Sequence, residues 1–468
     1  MNQTSFFSFF LFLSFTFSSF GLDPAALKVR ITSHALNILR DEALAMFQEQ
    51  VEGKVFEGFQ SNTCGITNVR LTGINVNQAH LSFVENYGFQ FMIQNFGFTL
   101  NFDATFNLCF FQLRMSPEFI LRGVAANMEV GLVRNRNGGL AADMRACQAS
   151  ADQIGFVGTT RFENLEARAR RLAASFISTG FCPVFKRIAP FFVNILLNRI
   201  PMVAPLPLDL GINFDYTLTR DIQVTATSLD VAFKGQAYRE QQPPPVVKKV
   251  VEPVFTEDTM MAYIGLSEFF FNSAANCLYE AGSLSKNFDT IDSKVMKFAL
   301  RVKQFFTQPR NLDEPLKAEV GLTEAPTISI TQCDGFVFNM RLRVKVMAPE
   351  TQTPDVFSVS AVCPVSMMVT IDGNRLTLPS KDINCRIETK NKVRKVLVVF
   401  LNNKVNKEAT KFLSGWFGEG VEIPFPPEIN FIQGNIQYED GYVVVGGDLR
   451  STPAGRQKVA EMVRGPGR

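Results

Sequence analysis

The sequence LDVAFKG at residues 229–235 is followed by PPP at 243–245 and by MMAYIGLSEFFFNSAA at 260–275. The first segment predicts a strand. Three consecutive prolines cannot donate to a sheet ladder and favour extended polyproline geometry, so they predict a semi-rigid spacer. The third segment, which extends to Gly282, predicts an amphipathic helix. The stretch therefore indicates a strand, a stiff connector and a helix between two bodies.

This order of strand, prolines and helix over Leu229–Gly282 resembles the middle of the family of bactericidal/permeability-increasing protein, lipopolysaccharide-binding protein and plasma lipid-transfer protein. The resemblance implies an α+β fold, an elongated boomerang of two pseudo-symmetric antiparallel β-barrels. Each barrel would carry long helices, and a central β-sheet and the proline-rich linker would join them. Because the matching motifs are structural, they identify the fold more firmly than the ligand.

The composition favours a large apolar surface. The 468 residues predict two or more domains, and 46% are hydrophobic while 19% are charged. There are 46 Phe, one Trp and 7 Tyr. Since Phe lacks a polar group, this excess favours surfaces that contact only apolar matter, either dense core or acyl chains. A net charge of +3 is too small to suggest a nucleic-acid partner.

The N-terminus predicts a secretory signal peptide over residues 1–21. Its apolar run, Phe6–Phe20, is short for a membrane span, and Ser19 and Gly21 supply small residues before a cleavage near Leu22. An uncleaved anchor remains an alternative, because no Lys or Arg precedes the run. We therefore expect a secreted, soluble, extracellular protein, in which eight cysteines favour disulfides over thiol chemistry.

The first half is predicted to combine two helices with long strands. Helical spacing of apolar residues predicts a helix over Leu27–Val51, with Ser33 as its candidate cap. Strict alternation over Phe98–Phe110 predicts a half-buried strand, and a hairpin is predicted to turn at Asn137-Gly138. Phe181–Ile200 predicts the second helix.

The second half is predicted to repeat this order of helix, hairpins, helix and strand. A helix over Met260–Gly282 comes first, and alternation over Phe336–Val346 predicts a strand. A hairpin turns at Asp372-Gly373, and a further helix covers Val393–Trp416. Ile436–Leu449 is predicted to be one last strand, which in the family returns to the central sheet.

These elements predict six segments along the chain. They are a signal peptide at 1–21, an N-terminal lipid-binding barrel at 22–210, central-sheet strands and the proline-rich linker at 211–258, a C-terminal lipid-binding barrel at 259–430, a return strand at 431–450 and a mobile tail at 451–468.

The sequence offers no constellation of catalytic residues. Its two histidines, His34 and His80, are too few for a comfortable catalytic triad or multi-histidine metal site. Asn137-Gly138-Gly139 lacks the strand and helix that flank a phosphate loop. We therefore expect neither enzymatic activity nor a cofactor or metal.

The resemblance implies one phospholipid in each half, with acyl chains between a barrel wall and a long helix. Burial of acyl chains contributes about 0.8 kcal/mol per methylene, so no charged contact is required for retention. Core and pocket share one sequence signature, so each lining residue is an interpretation. The first cleft is predicted to draw on Leu36, Leu39, Phe47, Phe98, Phe102, Phe106, Phe185, Ile188 and Phe192. The second is predicted to draw on Met260, Ile264, Phe271, Ala275, Phe338, Val344, Val399 and Phe400.

The resemblance also implies a disulfide between Cys147 and Cys182, which would join the last barrel strand to the second helix. Cys64 and Cys109 are candidates for a bridge between neighbouring strands. Spacing alone leaves the pairing of the remaining four cysteines open, namely Cys277, Cys333, Cys363 and Cys385.

Two functions fit this reading. The favoured one is innate immune recognition of bacterial lipid by a monomer that binds phospholipid or lipopolysaccharide and contacts membrane or micelle surfaces transiently. The alternative is an extracellular phospholipid carrier or transfer protein without an antibacterial role. Arg40 and Lys54 are outnumbered by acidic residues over 41–57, which departs from the basic tip of the family's endotoxin binders. A lipid hydrolase is disfavoured by the histidine supply.

Overall fold

A computed structural model describes residues 24–56, 59–60, 64–108, 111–157, 167, 171, 182, 186, 193–194, 197–206, 210–240, 250–282, 285–291, 316–347, 357–388, 406, 420–425 and 429–451. The predicted signal peptide, the triple proline and nearly all of the predicted tail and Val393–Trp416 helix lie outside these residues. Across the described part, most residues belong to antiparallel strands.

The first half begins with a strand and a helix, followed by long strands. After the first strand, a 3₁₀ turn at Ser33–Ala35 leads into helix α1, Leu36–Val51. The strands are β1 Leu27–Thr32, β2 Val55–Phe56, β3 Phe59–Gln60, β4 Cys64–Val84, β5 Gly88–Leu108, β6 Phe111–Met115, β7 Glu118–Arg134, β8 Leu140–Val157, β9 Val203–Pro205, β10 Ile212–Asp215, β11 Gln223–Val224, β12 Ser228–Phe233 and β13 Gln236–Arg239.

The second half also begins with a strand that leads into a helix, here α2, Glu268–Glu280. Its strands are β14 Ala262–Ser267, β15 Ser285–Ile291, β16 Leu316–Leu322, β17 Thr327–Thr331, β18 Gly335–Met347, β19 Phe357–Met367, β20 Thr370–Asp372, β21 Arg375–Thr377, β22 Ser380–Ile383, β23 Arg386–Glu388, β24 Val421–Glu422, β25 Ile429–Glu439 and β26 Tyr442–Ser451.

These strands form three large sheets and one small one. The central sheet has nine strands in the order β11-β12-β1-β14-β26-β25-β20-β21-β24, so it takes strands from both halves. The first sheet follows β2-β4-β5-β7-β8, with β3 on β4 and β6 on β5. The second sheet follows β15-β16-β18-β19-β22, with β17 on β18 and β23 on β19. A three-stranded sheet has the order β13-β10-β9.

The predicted alternation of the first sheet is confirmed. On β5, Phe98, Leu100 and Phe102 are buried, while the residues between them are partly exposed. The strands bend where β4 and β5 shift register, and Asn68 (φ 56°) and Asn95 (φ 52°) adopt left-handed backbone at two of these shifts. Such bulges increase twist, which curls the sheet.

The predicted helix over Leu27–Val51 is wrong in its first turn and a half. Leu27–Thr32 is instead strand β1, which pairs with β12 on one side and β14 on the other. Ser33 is not the cap, because the Thr32 side chain accepts the hydrogen bond from the His34 N–H. The β-branched residues of this segment suit a strand that is paired on both edges.

The predicted start of the second-half helix at Met260 is also wrong. Ala262–Ser267 is strand β14, and all six of its residues are buried. The helix begins at Glu268, where the Ser267 hydroxyl accepts from the Phe270 N–H and caps the first turn.

Two further strand predictions change in detail. The predicted single strand Ile436–Leu449 is a hairpin of β25 and β26, because Gly441 (φ 94°) allows a tight turn after Glu439. Its second strand does pair with β14 in the central sheet. The hairpin predicted around Asp372-Gly373 exists as β20 and β21, and it lies in the central sheet.

Two disulfides are present among the described cysteines. Cys147 on β8 is bonded to Cys182, the pairing that the resemblance implied. Cys363 on β19 is bonded to Cys385, a pairing that the sequence left open. Free thiols remain at Cys277, whose burial raises its pKa to about 11, and at the exposed Cys333. The Cys64 side chain and all of Cys109 lie outside the described part.

The end of the linker lies across the central sheet. Glu252 accepts two hydrogen bonds from Arg220, at 3.0 and 2.7 Å, and one from the Ala25 N–H at 3.0 Å. The Lys28 ammonium donates to the Pro253 carbonyl at 2.9 Å. A side chain at Gly265 would overlap Pro253, so glycine lets the linker lie directly on β14.

Candidate functional site

An apolar cavity lies beneath α2, where the three-stranded sheet, the second sheet and the β21–β24 edge of the central sheet meet. The space that the centre of a water-sized sphere can occupy is about 40 Å³, and the cavity is partly open to solvent. Every lining residue is apolar: Leu206, Phe214, Phe270, Phe271, Ala274, Ala275, Leu278, Ile328, Phe338, Leu376, Leu378, Gly420 and Val421. A cavity of this chemistry accepts hydrocarbon and excludes charged groups.

Helix α2 provides one wall because its apolar residues recur at helical spacing. Phe270, Ala274 and Leu278 are four residues apart and so lie on one face, with Phe271 and Ala275 beside them. The two alanines are small, and their size leaves space between the helix and the sheets. The helix sequence thus combines large residues that pack with small ones that leave room.

Side-chain hydrogen bonds fix α2 to the second sheet. The Asn272 amide donates to the Ile328 carbonyl at 2.9 Å and accepts from the Ile328 N–H at 2.8 Å. The Glu268 carboxylate accepts from the Ile330 N–H at 2.6 Å. Both partners lie on β17, so the helix satisfies backbone groups of this strand that a neighbouring strand would otherwise satisfy.

The opposite side of α2 is tied to the three-stranded sheet. The Ser273 hydroxyl accepts from the Ala237 N–H at 2.9 Å and donates to the Phe270 carbonyl at 2.9 Å. Ser273 is buried, and losing one partner would leave a desolvated polar atom. The helix is therefore fixed to a sheet on each side.

Stacked aromatic rings form the inner end of the cavity. The Phe214 and Phe270 ring centroids are 4.7 Å apart, and Tyr216 stacks on Phe214 at 5.9 Å. Phe271 meets the buried Phe336 edge-on at 4.8 Å. Burial raises the pKa of the Tyr216 phenol well above its ordinary value of 10.0, so this hydroxyl stays protonated and donates to the Glu422 carbonyl at 2.7 Å.

The wall formed by Gly420 and Val421, at the start of the segment 420–425, has a different construction. Gly420 has φ 70°, and a Cβ there would lie 2.6 Å from the Leu376 carbonyl oxygen. The segment pairs with β21 through only two residues, Val421 and Glu422. Glycine therefore allows this edge of the central sheet to approach the cavity closely.

Three of the residues predicted for the second cleft line this cavity, namely Phe271, Ala275 and Phe338. Two others do not. Ile264 is fully buried in β14, and Met260 packs against a separate cluster of Phe255, Tyr263 and Val444. The Val344 side chain and all of Val399 and Phe400 lie outside the described part.

The residues predicted for the first cleft are divided between two apolar clusters. Leu36 and Leu39 pack with the cluster that includes the central sheet, whereas Phe98 and Phe102 pack with the first-sheet cluster. Helix α1 reaches the second cluster through Val51 at its end. A shared lipid cleft there stays a prediction. The Phe47 and Phe106 side chains, and all of Phe185, Ile188 and Phe192, lie outside the described part.

Sequence reasoning missed several walls of the cavity. Phe214 and Leu206 belong to the first half, and Gly420 and Val421 follow a segment predicted as helix. Leu376 and Leu378 follow the predicted Asp372-Gly373 turn, and nothing in their sequence marks them as part of a site. Periodicity shows that such residues are buried, but only the tertiary arrangement shows that they face one cavity.

The described part offers little for other chemistry. Among these residues, no three His, Cys, Asp or Glu side chains come close enough together to hold a metal ion. The helices described here are all too short or too polar to cross a bilayer.

Comparison with known proteins gives consistent matches along the chain. The model of the C-terminal domain of the LBP / BPI / CETP family matches residues 208–451, slightly more than half of the sequence. Mouse phospholipid transfer protein is 24% identical over 90% of this chain and 89% of its own length. Bovine lipopolysaccharide-binding protein is 22% identical over 94% of this chain and 96% of its own length.

A crystal structure of lipopolysaccharide binding protein has the same fold. The two structures superpose with a TM-score of 0.56 at 15% sequence identity. The match covers 92% of the present chain and 99% of the chain in the crystal structure. Together with the family match over residues 208–451, this establishes that the chain belongs to the LBP / BPI / CETP family.

Proposed function

We propose that the protein binds amphipathic lipid outside the cell, with an acyl chain in the cavity beneath α2 and the headgroup at its mouth. The observation that carries the proposal is a cavity lined only by apolar side chains and one glycine, with helix α2 anchored as one of its walls. Each methylene transferred into it contributes about 0.8 kcal/mol. Two disulfides suit an oxidising extracellular setting.

The favoured role is carriage or transfer of phospholipid. Because no charged or polar side chain lines the cavity, affinity would depend on the acyl chain more than on the headgroup. The similarity to phospholipid transfer protein over nine-tenths of the chain supports this role. The proposal includes a second acyl site against the first sheet and the elongated two-barrel arrangement with its proline-rich linker.

Recognition of bacterial lipid in innate immunity is the second candidate. Its support is the similarity to lipopolysaccharide-binding protein, which extends over 94% of the chain. A basic surface near α1 would strengthen it, but there the Arg40 guanidinium is paired with Asp41 at 2.8 Å. This pair reduces the positive charge that a lipopolysaccharide phosphate would meet.

Native mass spectrometry with lipid extraction on the secreted protein tests the proposal. We expect co-purifying phospholipid, and reduced retention in Ala275→Leu, whose larger side chain fills the cavity. The control is Asn276→Leu, which introduces leucine at a position of α2 that does not line the cavity. A lipid-free protein that takes up no added phospholipid would contradict lipid binding. Equal retention in all three proteins would contradict this cavity as the site.

Vesicle assays separate the two roles. A carrier should move fluorescent phosphatidylcholine between neutral vesicles and bind lipopolysaccharide no better than phosphatidylcholine. A preference for lipopolysaccharide of a hundredfold or more, without transfer, would favour recognition of bacterial lipid instead.

A further inference from the structure

The walls of the cavity differ in how firmly they are attached. Helix α2 is tied by side-chain hydrogen bonds to sheets on both sides. Ile328 and Phe338 lie on β17 and β18, which pair over five residues of β17. By contrast, β24 is a two-residue strand at the end of the central sheet. Short edge ladders open at lower free energy than interior ones, so this wall has the weakest backbone ladder of those compared here, although Ile423 and Phe425 beside it are buried.

The 420–425 segment, which we call the gate segment, is held by bonds from two directions. On the sheet side, β24 pairs with β21 and the Ile423 N–H donates to the Asn374 carbonyl at 2.8 Å. On the cavity side, the Tyr216 hydroxyl donates to the Glu422 carbonyl at 2.7 Å. Tyr216 is distant in sequence, so this bond joins the gate segment to the first half of the chain.

The Tyr216 ring is set in position by its neighbours. It is fully buried and lies nearly parallel to Phe214 and Phe270, with interplanar angles of 8° and 10°. A buried hydroxyl requires a partner, and here that partner is the gate segment. Since Phe214 and Phe270 also line the cavity, the same stack forms the inner wall and aims the hydroxyl.

We propose that the gate segment opens to admit and release the acyl chain, and that the Tyr216 hydroxyl acts as a latch that keeps it closed. The inference rests on the proposed lipid site, since it assigns the route into that site. Tyr216 is a positioning residue, because its hydroxyl bonds the gate backbone and does not line the cavity.

The substitution Tyr216→Phe tests the latch, because it keeps the stacked ring and removes only the hydroxyl. A net hydrogen bond of roughly 1 kcal/mol corresponds to about a fivefold change in an equilibrium, so opening should increase between about twofold and tenfold. The matched control is Tyr279→Phe. The Tyr279 hydroxyl on α2 also donates to a backbone carbonyl, that of Thr323 at 3.3 Å, away from the gate.

Two measurements are made on the full-length protein. Amide hydrogen exchange over 420–425, without added lipid, should accelerate in Tyr216→Phe and stay at the wild-type rate in Tyr279→Phe. Release of a fluorescent fatty-acyl phosphatidylcholine into acceptor vesicles should accelerate by a similar factor, with the bound amount at saturation unchanged.

The outcomes separate the latch from the lipid site. Unchanged exchange over 420–425 in Tyr216→Phe, or equal acceleration in the control, would overturn the latch. Faster exchange with unchanged lipid release would overturn the gate segment as the route. A wild-type protein that takes up no lipid would contradict the proposed function, and the exchange measurement would still decide the latch.

Discussion

The two halves begin with the same unit, a central-sheet strand that runs into a helix, and the two units differ in how the helix is anchored. Strands β1 and β14 are antiparallel neighbours in the central sheet. Each ends in a fully buried hydroxyl, Thr32 in the first unit and Ser267 in the second, that accepts a hydrogen bond from the following turn. The common architecture therefore extends to the chemistry of the strand–helix junction.

The helices diverge after these junctions. Helix α1 starts after a 3₁₀ turn, its N-cap Ala35 makes no side-chain hydrogen bond, and it extends from one apolar cluster to another. Helix α2 is capped and carries Glu268, Asn272 and Ser273 as ties to neighbouring strands. The cavity described above lies beneath the tied helix, whose hydrogen bonds hold that wall in place.

The largest expected difference between the two helices comes from truncating their buried faces. Phe270→Ala on α2 removes a ring that is 1% exposed and stacked on Phe214, and should lower the free energy of unfolding by about 3–5 kcal/mol. Leu39→Ala on the partly buried face of α1 should cost clearly less, about 1–2 kcal/mol. Urea denaturation followed by circular dichroism measures both. Equal losses would contradict the difference in burial between the two helix faces.

The disulfides offer a second comparison of the halves, with a smaller expected difference between them. Replacing Cys363 and Cys385 with alanine opens a loop with sequence separation 22, and replacing Cys147 and Cys182 opens one of 35. Chain entropy predicts a loss of about 3–4 kcal/mol for each pair, slightly more for the longer loop. Urea midpoints of the two double variants should therefore be similar. A loss confined to one half would show that the two bonds constrain unequal structures.

Sequence periodicity predicted several of the strands in each half and the end of each leading helix to within two residues, but it misread both junctions in the same way. The strands Leu27–Thr32 and Ala262–Ser267 are about as rich in apolar residues as the helices that follow them. Because each strand leads into its helix with little or no intervening loop, apolar content does not show where the strand ends. The usable signal was the hydroxyl residue at the end of each strand. Cavity walls such as Phe214 and Val421 could not be predicted, because their meeting depends on packing between distant segments.

Those hydroxyl residues should contribute equally if the junctions are equivalent. Ser267→Ala removes the cap of α2 and should cost about 1 kcal/mol. Thr32→Val keeps the side-chain shape but removes the 2.7 Å bond to the Met260 carbonyl, and should cost about 1 kcal/mol. Urea midpoints of the single variants and the double variant test this. A loss above about 3 kcal/mol in one variant alone would contradict equivalent junctions.

The smallest expected effect concerns the end of the linker. Its Glu252 bonds the residue before β1, in the strand–helix unit of the first half, and among the described residues makes no such bond to α2. Burial alone would raise the pKa of Glu252, but hydrogen bonds from Arg220 and the Ala25 N–H outweigh burial and lower it from its ordinary value of 4.5. A carboxylate with a lowered pKa in the folded state stabilises at pH above 4.5, and this contribution is lost as pH falls through the folded value. Below pH 4.5, the wild type should therefore lose stability more steeply than Glu252→Gln.

Amide hydrogen exchange between pH 6 and pH 3, corrected for intrinsic rates, locates this loss. Exchange should rise first over residues 25–32, because Glu252 bonds Ala25 directly, while residues 268–280 keep their protection. The exposed Glu85→Gln serves as the control and should leave the wild-type profile unchanged. Simultaneous loss of protection in both regions would mean that the end of the linker stabilises the central sheet as a whole, and that the two strand–helix units respond to acid as one body.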